Sequence, residues 1–468
     1  MRSGVVCIAG GGIGGMALAL ALRHRGIHAI LYERDPSFHS RAGGYGLTMQ
    51  QGATALRQLG LANQGVFSIA HHSFLPSGEP IGSYGRAVHE TTRASLGNGR
   101  GEMQRRNAHT PRQELRARLL AELPADAVRW GERVLGFQLE SQGVALRIAL
   151  ASGGEREERA ALLVGADGIW STIRRQILPD EEGAHYLGVV VILGRARCEH
   201  DLAHQQVWQT LDGRGTRIYV MPFSAEPSLT MWQLSFTMDE EAATRLPRDG
   251  ASLKAEAMRR CASWHAPIPE LLRATDEADV TGYPAYDRLE LQAIRCGITA
   301  GSGCSEGGET EQIEEGSYGP PAKFESQEDT SQAAAKWIAE QGATSSHSPR
   351  ISPLLQPSSR VTLIGDAAHP MSPFKGQGAN QALLDAIALA RALRRSEIGG
   401  GNTPIAAALS TFEEEMFKRS ATKVAASRSA AAYLHTPAAT AVSNCTRAAA
   451  ARATAVCTNG EHVEDQPG

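Results

Sequence analysis

Apolar residues near the N-terminus come in blocks rather than in alternation. Val5–Ala9 (VVCIA) is a continuous apolar run, the pattern of a strand buried on both faces. After GGGIGG, the stretch MALALALRHRG reads as an alanine- and leucine-rich helix closed at Gly26, and IHAILYERD returns to a strand. A β-α-β unit is thus expected within the first 35 residues. Apolar positions three and four apart predict a helix from Pro111 to Leu123, with proline in its first turn. Two hairpin-like stretches follow, VLGFQLESQGVALRIAL and ALLVGADG. From about Tyr186 to Tyr286 the period shifts towards two, as in TRIYVMPF and TMWQLSF. That predicts a largely antiparallel sheet, interrupted by a helical piece at Leu253–Cys261. RVTLIGDAAHP then reads as a buried strand and turn, and GANQALLDAIALARALRR as a strong helix.

Two segments stand apart. Between Ser305 and Thr330 lie eight acidic residues and one lysine, with very few large apolar side chains. The stretch 295–350 is therefore expected to be a disordered acidic insertion, carrying one short helical possibility around Trp337. The alanine- and threonine-rich stretch 437–468 is expected to be a loose tail. Composition adds exclusions. A chain of 468 residues with 42% hydrophobic positions buries a sizeable core. Its 47 basic and 50 acidic residues leave a net charge of -3, which argues against nucleic acid as a partner. Seven cysteines without a C-x-x-C fit reduced thiols in a cytoplasmic protein rather than zinc or disulfides, and Cys7 reads as core packing. No run reaches about 18 apolar residues, so no membrane span is expected, and with the first motif so early no removable leader is expected either.

Gly10, Gly12 and Gly15 form G-x-G-x-x-G between the first strand and the first helix. The first glycine permits the tight turn, the second lets a pyrophosphate approach the backbone, and the third allows close helix–strand packing. Glu33 ends the second strand, where a carboxylate can hold a ribose diol and would repel a 2′-phosphate. A dinucleotide site for FAD or NAD is expected, against the plain alternative of a glycine-rich turn without a ligand. LLVGADGIWSTIRRQI carries Asp167 and Gly168 with Ser171 and Arg174. VTLIGDAAHPMSPFKGQGANQALLDA carries Gly365, Asp366 and the Gly376/Gly378 loop.

With these three motifs in this order, the chain resembles the FAD-dependent aromatic hydroxylases, the single-component flavoprotein monooxygenases of the p-hydroxybenzoate hydroxylase fold. The resemblance covers about 1–290 and 355–435. The stretches YERD, GLTMQQGATALRQLGL and GDAAHPMSPFKGQG look most like the tetracycline-modifying subfamily. The expected architecture is α/β: a Rossmann-like FAD-binding domain (1–75, 101–185, 351–436) interleaved with a largely antiparallel substrate domain (76–100, 186–294), plus C-terminal helices. The resemblance implies FAD as cofactor, NAD(P)H as a transient co-substrate, and O2 captured as a flavin C4a-hydroperoxide. One oxygen atom then passes to an aromatic or other electron-rich small molecule.

It also implies cofactor roles. Asp366 would accept bonds from the ribityl hydroxyls. The helix start at Gly376, Gly378, Ala379 and Asn380 would offer positive partial charge to the pyrimidine edge of the flavin. Arg112 would reach the diphosphate, and Asp167 would support the pyrophosphate region. An exposed helical arginine and two turn aspartates are the plain alternatives. Pro370 and Pro373 would stiffen the loop over the flavin, and Arg41 is either a cofactor contact or a solvated charge. His369 is the one acid–base candidate, in a reaction that the flavin itself carries. Trp208, Tyr219, Met221, Phe223 and Trp232 are candidates for a substrate wall, about half of which alternation should turn away. No Ser-His-Asp signature, P-loop, H-E-x-x-H or metal motif is present. Two rival readings remain at this stage: an FAD oxidoreductase that inserts no oxygen, and a non-enzymatic flavin binder, for which an intact G-Q-G loop has no use.

Overall fold

A computed structural model describes residues 4–40, 44–85, 107–179, 181, 183–203, 205–288 and 360–441. Arg41, Trp337, the stretch 295–350 and residues 442–468 lie outside the described residues. The first apolar block becomes Val6–Ala9, the middle strand of a five-stranded parallel sheet. Its order is Val361–Leu363, Leu162–Gly165, Val6–Ala9, Ala29–Glu33, Val128–Trp130. Helices Ile13–Arg23 and Gly378–Arg395 share its core. One expectation needs correcting here. ALLVGADG is no hairpin: Leu162–Gly165 is one strand, buried along its whole length between two parallel neighbours. The other stretch, Glu132–Glu140 and Gly143–Leu150, does form an antiparallel pair, extended by Glu155–Ala160.

The period-two region builds a seven-stranded sheet in the order Thr281–Asp287, His185–Ala196, Leu229–Thr237, Thr216–Ser224, Gln206–Leu211, Ala70–Phe74, Pro80–Gly85. Neighbours are antiparallel except Gln206–Leu211 beside Ala70–Phe74. Alternation separates its faces. Ile218 and Val220 join a core with Leu253, Ala257 and Leu271, while Met221 and Phe223 point the other way. Three helices cover the first face, not one: Glu240–Arg245, Gly250–Cys261 and Ile268–Ala274. The first two start at Asp239 and Asp249, whose carboxylates accept the N–H of Ala242 and Ser252, each at 2.8 Å.

A small sheet of Gly46–Met49, Ala108–Pro111 and Val66–Phe67 lies beside the seven-stranded sheet at Thr216–Ser224. The long helix Ile405–Tyr433 packs on Gly378–Arg395 and reaches the seven-stranded sheet. The chain is not loose directly after Pro437. Pro437–Thr440 forms a 3-10 turn with Ala439 buried against Ile81 and Leu211. Among the described residues no helix is long and apolar enough to cross a membrane. Nor do three metal-ligating side chains come together among them.

Candidate cofactor and substrate site

The three glycines of the first loop answer to different demands. Gly10 has φ 109°, and a Cβ there would collide with the Ala166 backbone, so the turn and the Asp167 stretch both require it. A Cβ on Gly15 would collide with the Gly10 carbonyl oxygen. Gly12 is the opposite case: its backbone is extended, and a Cβ would meet nothing within 4 Å. Protein packing does not ask for glycine at this position. The open cradle at the start of Ile13–Arg23 fits a diphosphate.

Glu33 is buried and braces this loop. Its Oε2 accepts the Gly11 N–H at 2.8 Å, and its Oε1 accepts that of Asp35 at 3.0 Å. Arg116, which the sequence reading passed over, clamps the same loop. Its Nε and Nη2 donate to the Gly11 carbonyl at 3.1 and 2.9 Å, and its Nη1 to Gln113 at 2.8 Å. The available signal was its place one turn after Arg112, on the same helix face. Arg112 opens the helix Arg112–Ala121, with its guanidinium 5.9 Å from the Tyr45 ring centroid. The helix Thr172–Ile177 is capped by Ser171, and Asp167 Oδ2 accepts the Thr172 N–H at its start at 2.7 Å. Its Oδ1 is buried without a hydrogen-bond partner, and burial pushes the carboxyl up. The turn reading of Asp167 is thus present in the structure, together with one acceptor that a ligand could satisfy.

Asp366 lies in a 3-10 turn, Gly365–Ala367, just past the strand Val361–Leu363 rather than on its end. It lines a cavity of about 980 Å³ together with Pro370, Gly376, Gly378, Ala379 and Asn380. The carboxyl opens onto this cavity yet has protein on all other sides. Burial pushes it up, while the charges of His369 and Arg112 pull it down. Gly376 is left-handed (φ 59°) and Gly378 begins the helix Gly378–Arg395, whose first N–H groups have no acceptor within the helix. The Asn380 side chain is committed elsewhere. Its Oδ1 accepts from Gln50 and Gly52 at 2.8 and 2.9 Å, and its Nδ2 donates to Thr48 and Gly376 at 3.0 and 2.8 Å. Only its main chain is offered to a ligand.

His369 is absent from the cavity lining. It is buried with Nε2 2.7 Å from Asp385, which also accepts the Gly365 N–H at 2.9 Å and the Arg419 guanidinium. Burial disfavours the imidazolium, but the Asp385 carboxylate outweighs it and holds His369 above the usual imidazole range. The geometry makes His369 an anchor of the Asp366 turn and leaves it out of reach of a substrate. Arg174 supports the turn from the other side, donating to the carbonyls of Ala367 and Ala368 at 3.2 and 2.7 Å. It pairs with Glu181, which also takes Arg288 at 3.1 Å; none of the three side chains is more than 4% exposed.

The opposite wall is the inner face of the seven-stranded sheet. Tyr219 and Met221 line the cavity; Phe223 shares their face but lies outside the lining. Trp208 and Trp232 point to the helices instead, where Trp232 Nε1 donates to Thr275 at 2.9 Å. Sequence reasoning missed the polar part of this wall, Gln209, Arg217, Gln233 and His71, and also His109, which lines the cavity from the small sheet. Arg217 donates to Gln209 at 2.8 Å, with its guanidinium 4.9 Å from the Tyr219 ring centroid and 5.7 Å from that of Phe374.

Comparison with known proteins identifies the family and the fold. The FAD binding domain family matches residues 4–274 and 319–426, so its second block begins inside the stretch 295–350. An aurachin C monooxygenase/isomerase from Stigmatella aurantiaca is 29% identical over 401 residues, 84% of this chain and 82% of the relative. The structure of Klebsiella pneumoniae HpxO complexed with FAD and uric acid shares the fold, with a TM-score of 0.65 and 22% identity over 93% of this chain and 90% of that one. Tetracycline destructase Tet(55) shares it too, with a TM-score of 0.59 and 15% identity over 97% and 94%. The likeness to tetracycline-modifying enzymes is therefore one of fold.

Proposed function

The chain belongs to the FAD binding domain family, and from that premise we propose that it hydroxylates a small electron-rich aromatic molecule in the cavity between Asp366 and the seven-stranded sheet. It is an FAD-dependent monooxygenase. One observation carries the site assignment: Asp366, the N–H groups at Gly378–Asn380 and the mixed polar and apolar sheet face all meet across one cavity.

The residues present fit FAD. The Gly10–Gly15 loop would receive the diphosphate in the cradle at Gly12, Glu33 would hold the adenosine ribose, and Arg112 and Asp167 would serve the diphosphate. Asp366 would take the ribityl hydroxyls, and the helix start at Gly376, Gly378, Ala379 and Asn380 the pyrimidine edge. Bound FAD accepts two electrons from NAD(P)H and, with O2, supplies one oxygen atom to the substrate. The protein's own part is placement. Helix-start N–H groups stabilise negative charge at the ring edge. Tyr219, Met221 and the Pro370–Pro373 loop keep water from the reacting centre, and the Gln209–Arg217 pair orients the polar end of the substrate. His369 acts through the Asp366 turn. Free Cys7, Cys198 and Cys261 support a reducing, cytoplasmic setting.

Purified protein should be yellow, should consume NAD(P)H and O2 faster when phenols are added, and should release a product one oxygen atom heavier by mass spectrometry. A yellow protein that oxidises NAD(P)H but oxygenates nothing in a broad aromatic panel would favour the dehydrogenase reading. A protein that takes up no FAD would overturn the assignment.

A further inference from the structure

Cross-strand register sorts the inner face of the seven-stranded sheet into two bands. Gln209 pairs with Tyr219, and Tyr219 with Gln233, so these three form one polar row across neighbouring strands. Two residues further along the same strands stand Val207, Met221 and Met231, the last two paired with each other. This second row is apolar, and its members share one hydrophobic cluster. None of the three is more than 4% exposed, yet all line the cavity, so the slot that they face is dry. Opposite them the small sheet presents Gly46, whose N–H donates to Met231 Sδ at 2.9 Å. A Cβ on Gly46 would collide with the Met221 methyl, so glycine leaves the slot its width. Val207 pairs in turn with His71, and Ile69 lies two residues before His71, its N–H donating to the Gln205 carbonyl at 2.9 Å. Ile69 lines the cavity and is 40% exposed.

Resting on the hydroxylase reading above, we propose that the substrate is amphipathic, an aromatic head with hydrogen-bonding groups joined to an alkyl or alkenyl chain, and that the chain lies along Val207, Met221 and Met231 and leaves the cavity past Ile69. The head belongs on the polar row, whose amide groups both donate and accept. A step of two residues along a strand is about 7 Å, so the polar row stands about 14 Å from the level of Ile69. A single ring held at the polar row leaves the apolar row uncovered. A dry slot without an occupant forfeits dispersion contacts along its walls, and a chain laid in it recovers them. Methionine suits such a wall, because its unbranched side chain adapts to chains of different shape.

Charge and exposure agree with that path. Two histidines line the same cavity, His71 beside Val207 and His109 on the small sheet. Burial pushes His109 down to about 4, and burial with the charge of Arg217 pushes His71 down to about 3. Both rings are therefore neutral near physiological pH, and the chain meets no formal charge from either. Among the described residues the exposed large apolar side chains are Tyr45, Ile69, Leu139, Trp170 and Tyr433, and every one but Leu139 lines this cavity. Apolar exposure gathered at one mouth marks the path of a ligand, whereas singly scattered side chains would carry no such meaning. Of the four, Ile69 is the one in register with the apolar row.

The test uses oxidised, FAD-loaded protein without NAD(P)H and follows the flavin absorbance during titration with 4-alkylphenols from methyl to heptyl. Their chain points away from the hydroxyl, as the two rows require. In wild-type protein Kd should fall by about two- to threefold per added methylene and level off once the chain has passed Ile69. Val207→Thr keeps the shape of the side chain but sets a hydroxyl on the apolar row, and Val207→Ala removes contact without adding polarity. Both should keep flavin content and the Kd of 4-methylphenol while flattening the slope over the shorter chains. Ile69→Thr should spare the shorter chains and weaken only the longest, by about threefold. A Kd independent of chain length in wild-type protein, no saturable response to any of the phenols, or loss of flavin from both Val207 variants would each overturn the proposal. So would a slope that all three variants retain, the mark of unspecific partition. A slope flattened by Trp170→Ser or Tyr433→Ser and untouched by Ile69→Thr would send the chain out elsewhere and overturn the path. Binding alone is read here, so each of these failures leaves the hydroxylase reading to its own test.

Discussion

At Gly12 and Gly15 one added methyl group has two different destinations. On Gly15 it meets the Gly10 carbonyl oxygen inside the protein, and on Gly12 it meets open space. Gly15→Ala should therefore destabilise the FAD-free protein by about 1–3 kcal/mol through overpacking. Gly12→Val should leave that stability unchanged and abolish tight FAD binding. Denaturant melts of the FAD-free variants beside a flavin titration check both, and equal behaviour would show that Gly12 does not face the diphosphate. Asp366→Ala makes the complementary case at the ribityl end. Because Asp366 faces the cavity, the variant should fold normally, while a lost charge-assisted bond costs about 1.5–3 kcal/mol. FAD should then dissociate on gel filtration; full flavin stoichiometry at wild-type affinity would refute the assignment. The glycine triplet and Asp366 were legible because their spacing is local. Arg116 was not, since its role depends on the Gly11 carbonyl, 105 positions away.

A helix, at the next scale up, does two jobs in Gly378–Arg395: its start faces the cavity, and its second turn holds the Asp366 turn through Asp385. A Cβ at Gly378 would sit 3.5 Å from Asp366 Oδ1, ordinary contact, so Gly378→Val should fold. Its methyls would crowd the N–H groups at the flavin edge, and stopped-flow reduction by NADPH should slow more than FAD affinity falls. Unchanged reduction would argue against a helix start at the flavin. Asp385 and His369 give the turn a pH signature. His369 is held above its ordinary value, so its stabilising contribution is complete below the ordinary imidazole range and is lost as pH rises through the raised value. Asp385 is held low, and its share is lost only as pH falls through that depressed value. The difference in melting temperature between wild type and His369→Phe should therefore shrink on the alkaline side, and a pH-independent difference would disprove the coupling. Periodicity revealed this helix but not its second duty. Nothing in the alternation of ALLVGADG or RVTLIGDAAHP shows that the two strands are neighbours.

Across the whole molecule, buried ions join two of the motifs that the sequence shows only as separate strings, and tie them to the seven-stranded sheet. Arg174, from the Asp167 stretch, holds the carbonyls of Ala367 and Ala368 beside Asp366. Arg288, just past the last strand of the seven-stranded sheet, donates to Ile169 at 2.8 Å. Glu181 is the carboxylate both arginines share. Arg174 was visible as a residue, but its partners could not be read from spacing, because two of the carbonyls are more than 190 positions away. Removing one member of such a group is costlier than never having built it: Glu181→Gln would leave two buried guanidinium groups without their shared counter-charge. We predict that it destabilises the protein by about 3–5 kcal/mol. Loss should begin at the Asp366 turn, so on heating, the fluorescence of released FAD should rise at a lower temperature than the far-UV dichroism signal falls. Exchanging the whole group for apolar side chains, Arg174→Met with Glu181→Leu and Arg288→Met, should restore much of the global melting temperature while FAD stays weakly held, since methionine cannot donate to the Ala367 and Ala368 carbonyls. If Glu181→Gln melts like wild type, the three ions are bystanders. If the triple variant also regains wild-type FAD affinity, the turn is held without Arg174, and the link from the sheet to the cofactor loop must run elsewhere.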